Sequence, residues 1–134
     1  MSANHLELVK QVAKQLEPII EKIDSLEFCP ITWEDSFHLL RELETAVEQI
    51  DNLSEQLGDI LLDDSFCKDV QNKDFIENLD EAYDGLDSFS WHFRKIYHVL
   101  EEEGPKEWYD QDYDYLSTQL KKAKQHLDLI LTPT

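Results

Sequence analysis

The sequence contains little glycine, proline or cysteine, and it has no long apolar run. Three glycines and four prolines in 134 residues are too few for a many-stranded sandwich or barrel, which needs a turn about every 8–12 residues. No apolar run reaches the ~18 residues of a membrane-spanning helix, and the first residues lack the basic and apolar regions of a signal peptide. We therefore expect an all-α protein that resides in the cytoplasm and does not contact a membrane.

The two cysteines, Cys29 and Cys67, stand at opposite ends of a long predicted helix. A helix rises ~1.5 Å per residue, which places them roughly 45 Å apart, whereas the Cα atoms of a disulfide lie within ~7 Å of each other. We expect two free thiols, as is usual in a reducing compartment.

Basic residues are also scarce, because 12 lysines and arginines stand against 30 aspartates and glutamates. The net charge of −18 is repelled by phosphate backbones and anionic membrane surfaces, which recruit lysine and arginine. The charge therefore disfavours direct nucleic-acid binding and favours a basic protein partner. The alternative is that the charge only maintains solubility.

The sequence does contain strong helical periodicity. Four segments repeat apolar residues at alternating spacings of three and four, the pattern of an antiparallel helical bundle. The first segment begins with Asn4 as its cap, and its apolar residues keep their phase across Pro18, where we expect a kink rather than a break. The apolar positions of this segment are Leu6, Val9, Ala13, Leu16, Ile20 and Ile23.

The other three helices are predicted over about residues 32–63, 72–104 and 110–132. Gly104-Pro105 ends the third helix, since a glycine suits the residue after a helix and proline cannot continue one. Short connections between amphipathic helices imply antiparallel neighbours. The prediction is one domain, residues 1–134, folded as an antiparallel four-helix bundle with two long central helices. A two-helix coiled coil that dimerises is the alternative, and the sequence does not decide between monomer and dimer.

The negative charge is concentrated on the two central helices. Residues 33–70 hold eleven acidic and two basic side chains, and residues 71–104 hold nine and three. Six acids of the second helix recur on one face, although like charges at this spacing repel one another. This acid row consists of Glu44, Glu48, Asp51, Glu55, Asp59 and Asp63. It is either a solvated face or a surface that contacts a basic groove on a partner.

The outer face of the third helix combines acids, an aromatic residue and basic residues. Trp91 projects away from the apolar stripe of its helix, with Asp84 and Asp87 before it and Lys95 and His98 after it. It is either covered by another element or is an exposed aromatic anchor for a partner. Together with the acid row, these five residues form the predicted partner-binding site. We predict no catalytic residue, metal ligand or cofactor.

One short stretch, Glu55-Gln56-Leu57-Gly58-Asp59, resembles the Glu-Leu-Gly-Asp stretch of MazG-type nucleotide pyrophosphohydrolases. The resemblance implies an all-α enzyme that binds Mg²⁺ through Glu-x-x-Glu and Glu-x-x-Asp pairs. The second spacing occurs at Glu48-x-x-Asp51 and Glu77-x-x-Asp80, but the second helix has no Glu-x-x-Glu pair. An enzyme of this type is therefore the alternative function, beside a structural or chaperone-like bundle.

The function that the sequence favours is a non-enzymatic, acidic binding protein that occupies a basic surface of a protein partner. An immunity protein or antitoxin-like inhibitor of a cationic toxin or nuclease fits the size, the charge and the expected compartment. An inhibitor that mimics nucleic acid is a close variant of the same hypothesis.

Overall fold

The computed structural model describes residues 3–25, 33–103 and 110–132. Its long helices are α1 (Ala3–Ser25), α2 (Trp33–Leu61), α4 (Lys73–Glu103) and α5 (Asp110–Leu131). Between α2 and α4 lie a short helix, α3 (Asp64–Lys68), and a 3-10 turn at Val70–Asn72. The described residues contain no strand, so the all-α prediction is confirmed.

The four long helices form a bundle in which each helix packs against two neighbours. α1 packs against α2 and α5, and α4 packs against the same two helices. Side-chain pairs agree with neighbours that run antiparallel. His5 near the start of α1 meets Asp63 after the end of α2, and Asn78 near the start of α4 meets His126 near the end of α5. Asp24 near the end of α1 meets Lys121 in the middle of α5. The predicted antiparallel four-helix bundle is confirmed, with an up-down-up-down order of helices.

The interior of the bundle is one apolar cluster to which every long helix contributes. Leu16, Leu57, Leu86 and Leu120 are each fully buried, and full burial of such a side chain contributes about 1.5–3 kcal/mol. No described helix combines the length and the apolar character that a bilayer span requires.

The buried stripe of α1 differs from the predicted apolar seam. Val12 and Ile19 are buried, whereas Leu6 is 39% exposed. The stripe is wider than a strict seam because α1 packs against two neighbours rather than one. Leu6 is exposed because α5 ends at Leu131, which the antiparallel register places level with the middle of α1.

Two local predictions for α1 have different outcomes. The helix continues through Pro18, which confirms that proline does not break it, and Pro18 is exposed, where water can hydrogen-bond the carbonyl that proline leaves without a donor. Asn4 lies inside the first turn, so its predicted position as the cap is wrong.

The two cysteines fall in different parts of the chain. Cys67 is a free thiol, and its Sγ lies 3.4 Å from the carbonyl oxygen of Leu61 at the end of α2. Burial, followed by the nearby Asp63 and Asp64 carboxylates, raises the pKa of the Cys67 thiol, which disfavours the reactive thiolate. Cys29 lies outside the described residues.

Candidate functional site

The outer faces of α2 and α4 form one continuous surface because the two helices pack side by side. Their register follows from an ion pair between Asp51 and Arg94 and from the contact of Gly58 with the ring of Tyr83. Given this register and the helical repeat, ten of the predicted site residues lie on this surface. We call it the acidic face; it carries Glu44, Glu48, Asp51, Glu55 and Asp59 from α2 and Asp84, Asp87, Trp91, Lys95 and His98 from α4.

Asp63 does not belong to the acidic face. It follows the end of α2 and caps α3, with its Oδ1 accepting a hydrogen bond from the backbone N–H of Phe66 at 3.2 Å. Its Oδ2 lies 2.9 Å from Nε2 of His5 in α1. The hydrogen bond with His5, followed by that from Phe66, lowers the pKa of the Asp63 carboxyl. Its predicted place in the acid row of α2 is therefore wrong.

Trp91 is the most distinctive side chain of the acidic face. It is 66% exposed, so no described element covers it; its role as an anchor for a partner stays a prediction. Nζ of Lys95 lies 5.7 Å from the centroid of its ring, within the range of a cation–π interaction. A large, rigid aromatic side chain in this setting is of the type that anchors protein interfaces.

Part of the charge on the acidic face is offset within the chain. Asp51 forms its ion pair with Arg94, and a carboxylate oxygen of Asp84 lies 3.4 Å from Nζ of Lys122 in α5. Hydrogen bonds with Glu81 and, after the opposing effect of burial, with Asp84 raise the pKa of Lys122. The remaining carboxylates of the face form no ion pair with any other described residue: Glu44, Glu48, Glu55, Asp59 and Asp87.

A groove of about 380 Å³ lies between α2 and α4, within the acidic face. Its lining combines acidic, basic and aromatic side chains, and it joins residues that are more than 40 positions apart in the sequence. The lining residues are Glu44, Val47, Glu48, Asp51, Phe93, Arg94, Tyr97 and His98. Four of these residues were not predicted as site residues: Val47, Phe93 and Tyr97, because each also fits an ordinary core position, and Arg94.

Two larger grooves lie on other sides of the bundle, and the one between α1 and α5 is also rich in charged side chains. The groove of about 510 Å³ between α1 and α5 contains Lys124, whose Nζ lies 2.8 Å from the carboxylate of Asp128. The groove of about 530 Å³ between α1 and α2 is lined mostly by uncharged side chains, among them Gln15, Gln49 and Asn52. Neither larger groove has an aromatic lining residue, whereas the groove within the acidic face has Phe93 and Tyr97. It is therefore the strongest candidate site, although it is the smallest of the three.

The described residues contain no group of three or more histidine, cysteine, aspartate or glutamate side chains placed to hold a metal ion. Two of the carboxylates that the MazG resemblance would use have partners inside the chain, since Asp51 pairs with Arg94, and Glu77 lies 4.0 Å from Nζ of Lys73. Comparison with known proteins adds no candidate, because no family model, no curated protein and no solved structure matches this chain.

Proposed function

We propose that this protein is a non-enzymatic binding protein whose acidic face holds a basic surface of a protein partner. The observation that supports this most strongly is the 66% exposure of Trp91 on a face that carries five carboxylates without a described ion-pair partner. Uncompensated carboxylates attract a cationic protein before contact, over a Debye length of ~8–10 Å. The indole then supplies the apolar area from which water is excluded when the complex forms.

A cationic toxin or nuclease is the class of partner that fits this surface. Enzymes that act on nucleic acid bind its phosphates through lysine and arginine, and a row of carboxylates along α2 presents repeated negative charge to such a groove. In this role the protein is an immunity protein or antitoxin-like inhibitor, and its acidic face acts as a mimic of the nucleic-acid backbone.

Affinity capture with matched variants tests the proposal. The wild-type chain, Trp91→Ala and a control, Glu17→Gln/Glu21→Gln, are immobilised and exposed to the same lysate of the organism from which the protein comes. Glu17 and Glu21 are exposed on α1, which does not pack against α4, so the control changes charge outside the acidic face. We expect the wild type and the control to capture the same basic protein. Trp91→Ala should not capture it.

The captured partner is then purified for kinetics, with Trp91→Ala compared to wild type by surface plasmon resonance. Loss of a desolvated anchor raises the dissociation rate by a factor corresponding to about 2–4 kcal/mol, and this effect persists in high salt. Because Trp91 is exposed, the free energy of unfolding of Trp91→Ala should differ from that of wild type by less than about 0.5 kcal/mol. Capture of the same proteins by all three forms, or of a partner that is itself acidic, would contradict the proposal.

A further inference from the structure

The groove between α2 and α4 differs in composition from the rest of the acidic face. Val47 and Phe93, which are 5% and 3% exposed, and Tyr97, which is partly buried, give it an apolar and aromatic lining. Glu44 and Glu48, both exposed, also line it from the α2 side. A cationic side chain with an apolar stem suits such a groove, since aromatic faces attract cations and long basic side chains bury their methylene groups.

The basic side chains that line the groove have ion-pair partners, whereas two of its carboxylates have none among the described residues. Arg94 is bound by Asp51, and Nε2 of His98 lies 3.3 Å from the carboxylate of Glu102 on its own helix. Neither basic residue therefore neutralises Glu44 or Glu48, which have no ion-pair partner among the described residues. These two carboxylates are four residues apart on one helix face and repel each other. A cation bound between them removes that repulsion.

Building on the proposed function, we propose that this groove is the pocket for an arginine side chain of the partner. The guanidinium donates hydrogen bonds to Glu44 and Glu48, while its plane and its stem lie against the partly buried Tyr97, above the floor that Val47 and Phe93 form. Arginine fits better than lysine because its planar group offers several donors at once and stacks on aromatic rings.

The position of the pocket also constrains the shape of the partner. Trp91 and Tyr97 are six residues apart on α4, which corresponds to about 9 Å at ~1.5 Å per residue. The partner therefore presents an arginine at about this distance from the apolar surface that covers Trp91. About six residues of a helix on the partner span the same distance.

A titration that needs no partner tests the pocket. N-acetyl-arginine methylamide and its neutral analogue N-acetyl-citrulline methylamide are added to the isotope-labelled full chain, and binding is followed by NMR. We expect the arginine compound to cause saturable shifts at Val47 and Tyr97, and the citrulline compound to cause none. The affinity should fall at least fivefold in Glu44→Gln/Glu48→Gln and stay within twofold of wild type in the control Glu17→Gln/Glu21→Gln.

The outcomes separate this inference from the proposed function. Shifts with citrulline equal to those with arginine, equal losses in both double variants, or equally tight binding of N-acetyl-lysine methylamide would overturn the arginine pocket. If arginine does not bind and a basic partner is still captured through Trp91, the pocket is wrong and the proposed function stands. If arginine binds as expected but no partner depends on Trp91, the pocket stands and the proposed function fails. Circular dichroism confirms that each variant is folded.

Discussion

The carboxylate of Asp63 connects two separate segments, since it hydrogen-bonds the ring of His5 in α1 and the backbone N–H of Phe66 in α3. These bonds, that with His5 first, lower the pKa of Asp63 below its ordinary value of 3.8. A carboxyl group with a lower pKa in the folded state stabilises the fold above its unfolded pKa. That contribution is lost as the pH falls through the folded pKa.

This linkage predicts a difference in pH dependence between wild type and Asp63→Ser, which keeps a capping oxygen but has no charge. At neutral pH the wild type should have the higher melting temperature, and the difference should shrink as the pH falls below 3.8. Thermal unfolding followed by circular dichroism between about pH 2 and 6 measures it. Asp59→Ser, at an exposed position with no described ion pair, is the control. A difference for Asp63→Ser that stays constant over this range would show that its charge does not stabilise the fold.

The direction in which a site residue projects was predictable where it follows from the apolar pattern of its own helix. Contacts between residues of different helices were not predictable. The outward direction of Trp91 follows from its position relative to the apolar stripe of α4, although its exposure depends on what the other helices cover. The ion pair between Asp51 and Arg94 was not predictable, because it requires the register between two helices. The role of Asp63 was missed for a related reason, since the end of α2 is followed by a helix of five residues, too short to show a period.

At the scale of the elements, Gly58 and Gly85 lie inside long helices in opposite surroundings. A Cβ at Gly58 would lie 3.4 Å from the ring of Tyr83, an ordinary contact distance. A Cβ at Gly85 would lie 2.8 Å from the backbone oxygen of Gln119 and 3.2 Å from Cβ of Ala123. Glycine at position 85 therefore allows α4 and α5 to approach closely.

The same substitution should therefore have opposite effects at the two glycines. Gly58→Ala should stabilise the protein by about 0.5–1 kcal/mol, because alanine is the better helix former. Gly85→Ala should destabilise it by about 1–3 kcal/mol, because the backbone of α5 must move to admit the methyl group. Urea unfolding of both variants gives the two values. Stabilisation by Gly85→Ala would mean that the close approach of α4 and α5 contributes little.

The long helices were predictable because their apolar spacing persists over many turns, and the structure confirms all four. α3 and the 3-10 turn were not predicted, although aspartate precedes each of them: Oδ1 of Asp63 accepts from Phe66, and Oδ1 of Asp69 accepts from the backbone N–H of Gln71 at 3.0 Å. An aspartate before a short polar run is a capping signal. That signal could have located both elements.

For the whole molecule, the charge of −18 should act mainly on the rate of association. Reversal of charge at Glu48, Glu55 and Asp59, by lysine at each position, should slow association with the basic partner, and the effect should diminish as salt screens it. Stopped-flow kinetics at low and high ionic strength measures this. The triple control Glu7→Lys/Glu17→Lys/Glu21→Lys changes net charge equally on α1. An equal loss of rate in the control would assign the effect to net charge rather than to the acidic face.

The alternative of an Mg²⁺-dependent enzyme predicts a different response of the whole protein. A specific site should bind Mg²⁺ with defined stoichiometry and raise the melting temperature in a saturable way. We expect instead a small, non-saturating increase that NaCl of equal ionic strength reproduces, because divalent and monovalent cations both screen repulsion among the carboxylates. Differential scanning fluorimetry compares the two salts. Saturable stabilisation by Mg²⁺ alone, or hydrolysis of nucleoside triphosphates, would favour the enzyme.

The order of packing in the bundle determines how the protein can be tethered. α1 and α5 are neighbours and antiparallel, so the start of α1 and the end of α5 point toward the same end of the bundle. The seam between these two helices lies on the opposite side of the bundle from the seam between α2 and α4. A linker attached at either end of the described chain therefore leaves the acidic face turned toward solution, which suits this protein to display on beads, on biosensor chips or in fusions.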